Sequence, residues 1–166
     1  MTGVQTCALP ICPIVPGVEL CSGSPRVLFD PEHLRRVLVN LLDNARRYAS
    51  DASDAIQVYT APTADGTFVL AVWSDGTPME ASVERHLFEP FFSSESRSTG
   101  LGLYICRELC EGHGATIGFR RSVRVTARGS QDGNEFRIVL EQVDRPLAHA
   151  VASDKIPSTT WQQQRL

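Results

Sequence analysis

The chain has 166 residues, 42% hydrophobic and 21% charged, with a formal net charge of -3. That is room for one globular domain with residues to spare. The acidic balance is the reverse of a nucleic-acid surface, and no apolar run approaches the roughly 20 residues of a membrane span. Neither nucleic acid nor direct membrane contact is expected.

The first twelve residues, MTGVQTCALPIC, lack the positive start and long apolar core of a signal peptide. They resemble a translated sequencing adaptor fused at a contig end, so the fold is expected to begin at residue 13. The five cysteines, Cys7, Cys12, Cys21, Cys106 and Cys110, are an odd number at irregular spacing. They make a poor disulfide framework and suggest a reducing, cytoplasmic compartment.

Residues 18–21 and 26–29 read as short strands joined by a turn at 22–25. Asp30-Pro31-Glu32 then starts a helix, with a capping side chain, a proline in the first turn and an acid at the positive dipole end. Leu34, Val37, Leu38, Leu41, Leu42 and Ala45 recur at helical spacing as one buried stripe. Residues 56–61 and 67–73, either side of a turn at 62–66, read as a β-hairpin. An irregular stretch over 74–99 holds at most a short helix at 81–86. A second strong helix at 101–111 is ended by Gly112 and Gly114. Strands at 116–120, 123–127 and 135–140 follow, the last after a turn at Asp132-Gly133-Asn134. The alternation predicts an α/β domain over residues 13–142. Residues 143–166 are polar and aperiodic, and read as a disordered tail.

Three features carry chemistry. Asn40, Asn44 and Arg47 are four and three residues apart, so they form one stripe beside the apolar face of the first helix. Amide oxygens suit a hard cation such as Mg²⁺ and an arginine fork suits phosphate, although spacing alone favours a solvated polar edge. Ser98-Thr99-Gly100-Leu101-Gly102-Leu103 opens the second helix, where glycines admit close approach and free N–H groups bind anions. Alone, a short Gly-x-Gly is often only a turn. Phe88-Glu89-Pro90-Phe91-Phe92 puts three phenylalanines in one loop, as an anchor or the hinge of a lid does.

In this order the features resemble the catalytic ATP-binding domain of bacterial sensor histidine kinases, within the gyrase, Hsp90, histidine kinase and MutL ATPase superfamily. Residues 34–48 (LRRVLVNLLDNARRY) look like its N box, 72–79 (VWSDGTPM) its G1 box, 88–92 its F box and 100–103 its G2 box. The run at 86–115 is most similar to sensor kinases of the type IV pilin regulatory kind. The resemblance implies a Bergerat-type two-layer sandwich, a mixed and mostly antiparallel sheet on about three helices. It implies ATP and Mg²⁺ as ligands, with Asn44 and Asn40 on the metal and Arg47 on a phosphate. Thr99, Gly100, Leu101, Gly102 and Leu103 would cradle the phosphates, beneath a short lid at 93–99 in which Arg97 pairs with one. The ATPase branches carry a glutamate at the Asn40 position; an amide cannot act as a general base, which favours a kinase over a hydrolase.

The G1 box departs from the family pattern Asp-x-Gly-x-Gly. Aligned on Gly76, the adenine-binding aspartate becomes Ser74 and the second glycine Pro78, leaving Ser74 or Asp75 to accept from adenine. His33, His86, His113 and His149 lack the setting of a phosphoacceptor. The implied partners are therefore a dimerisation domain carrying the acceptor, expected upstream of a fragment, and a response-regulator receiver. An anti-sigma-factor-type serine kinase and a degenerate nucleotide-binding module are the alternatives. Cys106 and Cys110 read as buried packing residues more than as metal ligands with His113. Arg120, Arg121, Arg124 and Arg128 read as solvated strand edges.

Overall fold

Asp30 fixes the start of the longest helix, α1 (Pro31–Tyr48): its carboxylate accepts from the backbone N–H groups of Glu32 at 2.8 Å and His33 at 3.0 Å. The His33 bond foremost holds the Asp30 acid below its ordinary value. The structure, a computed structural model, describes residues 18–21, 26–92 and 100–143. The adaptor-like start, the turn at 22–25, the lid at 93–99 with Arg97 and Thr99, and the tail from 144 with His149 lie outside the described residues.

Five strands form one sheet: β1 (Val18–Glu19), β2 (Ile56–Pro62), β3 (Thr67–Ser74), β4 (Thr116–Thr126) and β5 (Gly129–Glu141), in the order β1-β2-β3-β5-β4. β1 runs parallel to β2 and every other pairing is antiparallel. Helices α1 and α3 (Gly102–Gly112) cover one face, with the short α2 (Ala81–His86) where the sequence placed it. Strand alternation turns Phe68, Leu70 and Val72 of β3 and Phe136, Ile138 and Leu140 of β5 toward Val37 and Leu41 of α1 and Cys106 and Cys110 of α3. This is the expected two-layer α/β sandwich. Both cysteines are buried in that core, and burial pushes their thiols up to about 12 and about 11, so they act as packing groups. His113 instead hydrogen-bonds His33 at 2.9 Å and lies 4.3 Å from the Phe29 ring.

The sequence reading errs at the C-terminal strands. Residues 116–126 are one unbroken strand, and the chain reverses at Ala127-Arg128, where Gly129 takes φ 93°. The Asp132-Gly133-Asn134 signal lies inside β5. Gly133 is there for space: a methyl at its Cα would overlap the Trp73 indole and the Ser74 carbonyl. Past this point the β4–β5 hairpin folds over the outer face of its own sheet. Trp73 Nε1 donates to the Ser122 carbonyl at 3.1 Å and Gln57 Nε2 to the Val125 carbonyl at 3.0 Å, and Trp73 is wholly buried although it faces away from the helices. Residues 26–29 also fall short of a strand, with only Val27 bridging Gln142.

The arginines lie on the edge strand β4 and its turn, Arg120 and Arg128 exposed as expected, but they are ion-paired and not merely solvated. Arg120 pairs with Glu135 at 2.8 Å, Arg124 reaches Glu19 at 2.7 Å and covers the Tyr59 ring, and Arg128 binds Asp75 at 2.6 Å. Burial alone would raise the Glu135 acid, but hydrogen bonds from Arg120, Ser122 and Tyr59 outweigh it and hold the carboxyl below its ordinary value.

Gly133→Ala should cost about 2–3 kcal/mol in urea unfolding, because the indole and a backbone carbonyl must both yield. Unchanged stability would contradict the folded-over hairpin. A carboxyl depressed in the native state stabilises above its unfolded value, about 4.3, and that contribution is lost as pH falls through the native value. The urea midpoint should therefore drop as pH falls below about 4.3, and drop less steeply in Glu135→Gln.

Candidate nucleotide site

Docking of the apolar stripe of α1 leaves Asn40, Asn44 and Arg47 on one wall of a cavity of about 720 Å³, a size that suits a small-molecule ligand. Gly100, Gly102 and Leu103 at the start of α3 form a second wall. The loop after β3, with Thr77, Pro78 and Met79, forms a third, joined by Val83, Leu87 and Phe92, and Asn134 of β5 completes the lining.

The two ends differ. At one, Gly102 lies against the Asn40 amide, and no side chain among the described residues caps the first N–H groups of α3. Uncapped N–H groups at the positive end of a helix attract an anion. At the other, Gly76 lies against the Tyr48 carbonyl and the Asn134 amide. Asn40 to Tyr48 is about 12 Å along α1, room for a long ligand with one charged end.

The phenylalanine loop buttresses the charged end. Gly100 has φ 64°, and a Cβ on it would come within 2.6 Å of the Phe91 backbone and 2.7 Å of the Phe92 backbone. Phe88 packs edge-on against Phe136 and Phe92 against His86, whereas Phe91 is 78% exposed.

After β3 the residues point differently from the sequence expectation. Ser74 shares the helix-facing side with Val72 and pairs across the ladder with Asn134. The Asp75 carboxylate is turned elsewhere: it accepts from the backbone N–H of Ser50 at 2.9 Å, the Ser50 hydroxyl at 2.6 Å and Arg128 at 2.6 Å. Burial would raise its acid, but these bonds hold it below the ordinary value. Asp75 thereby ties the end of α1, the loop and the hairpin tip together.

Of the residues singled out in the sequence, Asn40, Asn44, Arg47, Gly100, Gly102 and Leu103 line the cavity, whereas Ser74, Asp75, Gly76 and Leu101 are not among its lining residues. Arg97 and Thr99 lie outside the described residues. Asp43, Tyr48, Met79 and Asn134 also line it and were missed. Asn134 was legible in principle, since a β5 extended through Gly133 puts it opposite Ser74.

Residues 29–144 match the histidine kinase-, DNA gyrase B- and HSP90-like ATPases, and the chain belongs to that family of ATP-binding domains. It is similar to the sensor protein kinase PilS of Pseudomonas aeruginosa, 42% identical over 106 residues that cover 62% of this chain and 20% of that protein. It is also similar to the sensor histidine kinase ZraS of Klebsiella oxytoca, 36% identical over 92 residues that cover 55% of this chain and 20% of that protein. The chain thus spans about a fifth of the length of these relatives. Among solved structures, the catalytic domain of histidine kinase ThkA aligns with a TM-score of 0.61 at 25% identity, over 75% of this chain and 76% of that one.

Proposed function

We propose that this domain is the ATP-Mg²⁺-binding catalytic part of a two-component sensor histidine kinase. Its task is to present the γ-phosphate to a histidine on a dimerisation domain outside this chain, for relay to a response-regulator receiver. The observation that carries the reading is the Asn40–Asn44–Arg47 stripe and the start of α3 lining one cavity.

Each residue has a distinct part. The amide oxygens of Asn44 and Asn40 would hold Mg²⁺, which supplies charge neutralisation at the phosphates. Arg47 gives a planar fork of donors to a phosphate oxygen. Backbone N–H groups at Gly100, Leu101, Gly102 and Leu103 aim the helix start at the same charge, and Thr99 and Arg97 act from the lid. Asn40 cannot deprotonate water, so the position from which the ATPase branches activate water carries an amide and no base. Positioning and charge stabilisation are most of what phosphoryl transfer requires of a protein. Ser74 and Gly76 support the far end. The place of action is the cytoplasm.

Among the described residues the histidines are engaged elsewhere, His33 with His113 and His86 with Glu89, each at 2.9 Å, which supports an acceptor on another segment. In a fluorescent-ATP titration, the wild type should bind saturably with Mg²⁺ and about tenfold or more weakly in EDTA or as Asn44→Ala. Binding that ignores both changes, or none at all, would contradict the proposal.

A further inference from the structure

Arg137 stands in the middle of β5 on the face away from the helices, because it alternates with Phe136 and Ile138, which point toward them. It is half-buried, its Nε is closed off from water, and its guanidinium makes no hydrogen bond or ion pair among the described residues. The other three arginines of the sheet are all engaged: Arg120 with Glu135, Arg121 with Asn134 and the Gly76 carbonyl, and Arg124 with Glu19 and Gln57. A donor shut away without an acceptor costs stability, so a lone guanidinium on a sheet face needs a reason.

The acids of that face are spent or distant. Glu135, two residues or about 7 Å along the strand, gives one oxygen to Arg120 Nε and the other to Arg120 Nη2 and the Ser122 hydroxyl. Glu19, beside Tyr59 on β1, holds Arg124. Glu141, four residues or about 13 Å along, is exposed to water. To either side, the cross-strand partners of Arg137 are Ala71 on β3 and Gly118 on β4, a methyl and a hydrogen. A methyl placed on Gly118 would meet nothing within 4 Å, so the strip beside the guanidinium stands open. Val139 and Thr116, paired with each other, continue that strip.

We propose that Arg137 and the open strip at Gly118 form a docking site for an acidic side chain of a partner protein. A carboxylate is planar and takes two parallel N–H groups from one edge of a guanidinium, here Nε–H together with an Nη–H. The methylenes that carry it then lie over Val139. A single negative charge suits the place better than a phosphate dianion, because Glu135 and Glu141 stand on the same face. The strip is open, whereas a free small acid is held by enclosure. A side chain presented by a folded surface arrives already ordered and needs no enclosing pocket.

NMR on the whole chain tests this through the Arg137 Nε–Hε signal and the Gly118 amide. The probe is the peptide acetyl-Val-Glu-Val-amide, titrated at constant ionic strength in chloride. Both signals should shift saturably, with a Kd on the order of millimolar for a single charged contact. Binding should weaken about tenfold or more in Arg137→Gln, and with glutamine in place of the peptide glutamate. Equal shifts from sulfate, or from the glutamine peptide, reveal only a positive surface and overturn the inference. Acetate binding as tightly as the peptide overturns the assignment to a protein side chain. Stability gives an independent check: Arg137→Met keeps the unbranched stem and removes the unpaired donor, so it should melt at or above the wild type. A fall of more than about 5 °C would give the guanidinium a structural task within this chain and overturn the proposal.

Discussion

The rotation of α1 about its own axis is the constraint on which the site depends. Val37, Leu41 and Ala45 are buried against the sheet and α3, and each large aliphatic group so buried contributes roughly 1.5–3 kcal/mol. That burial leaves one orientation for the helix. Asn40, Asn44 and Arg47, offset from the buried stripe, then line the same cavity as the start of α3, the two amides half-buried and Arg47 exposed. Polar residues that are indifferent helix formers are kept in register by the apolar residues between them.

A second constraint comes from the opposite layer. Trp73 faces away from the helices, where an indole would normally be wetted, and the β4–β5 hairpin bends over it at Gly133. The bend carries Arg121 and Arg128 to the loop after β3, where they bind the Gly76 carbonyl, Asn134 and Asp75. The loop is thus held by backbone and side-chain bonds from three directions, and the same bonds turn Asp75 out of the cavity. A feature on the outer face of the sheet thereby sets the chemistry of the inner face.

Much of this was legible in the sequence where local signals agree with the fold. The Asp30 cap, the helical stripe, the hairpin about 62–66 and the short α2 all stand as read, because capping, periodicity and turn chemistry are local. The readings that failed depend on long-range packing. Asp-Gly-Asn signals a turn by propensity, yet here the glycine makes room for an indole about sixty residues earlier in the chain. That misreading hid Asn134, since a residue assigned to a turn has no cross-strand partner. Asp75 looked like a substitute base acceptor because sequence gives its position but not its direction, and Ser50 and Arg128 decide the direction. The arginine strip looked solvated for the same reason: its partners Glu19, Glu135 and Asp75 are distant in sequence.

Amide hydrogen exchange with and without Mg·ATP tests most directly whether the α1 stripe and the start of α3 form one nucleotide site. The account predicts Mg²⁺-dependent slowing at residues 100–105 and 40–48 together, with the outer-face strand positions around Tyr59 and Val69 unchanged. Slowing at only one of the two segments, or no change at either with nucleotide in excess, would contradict it.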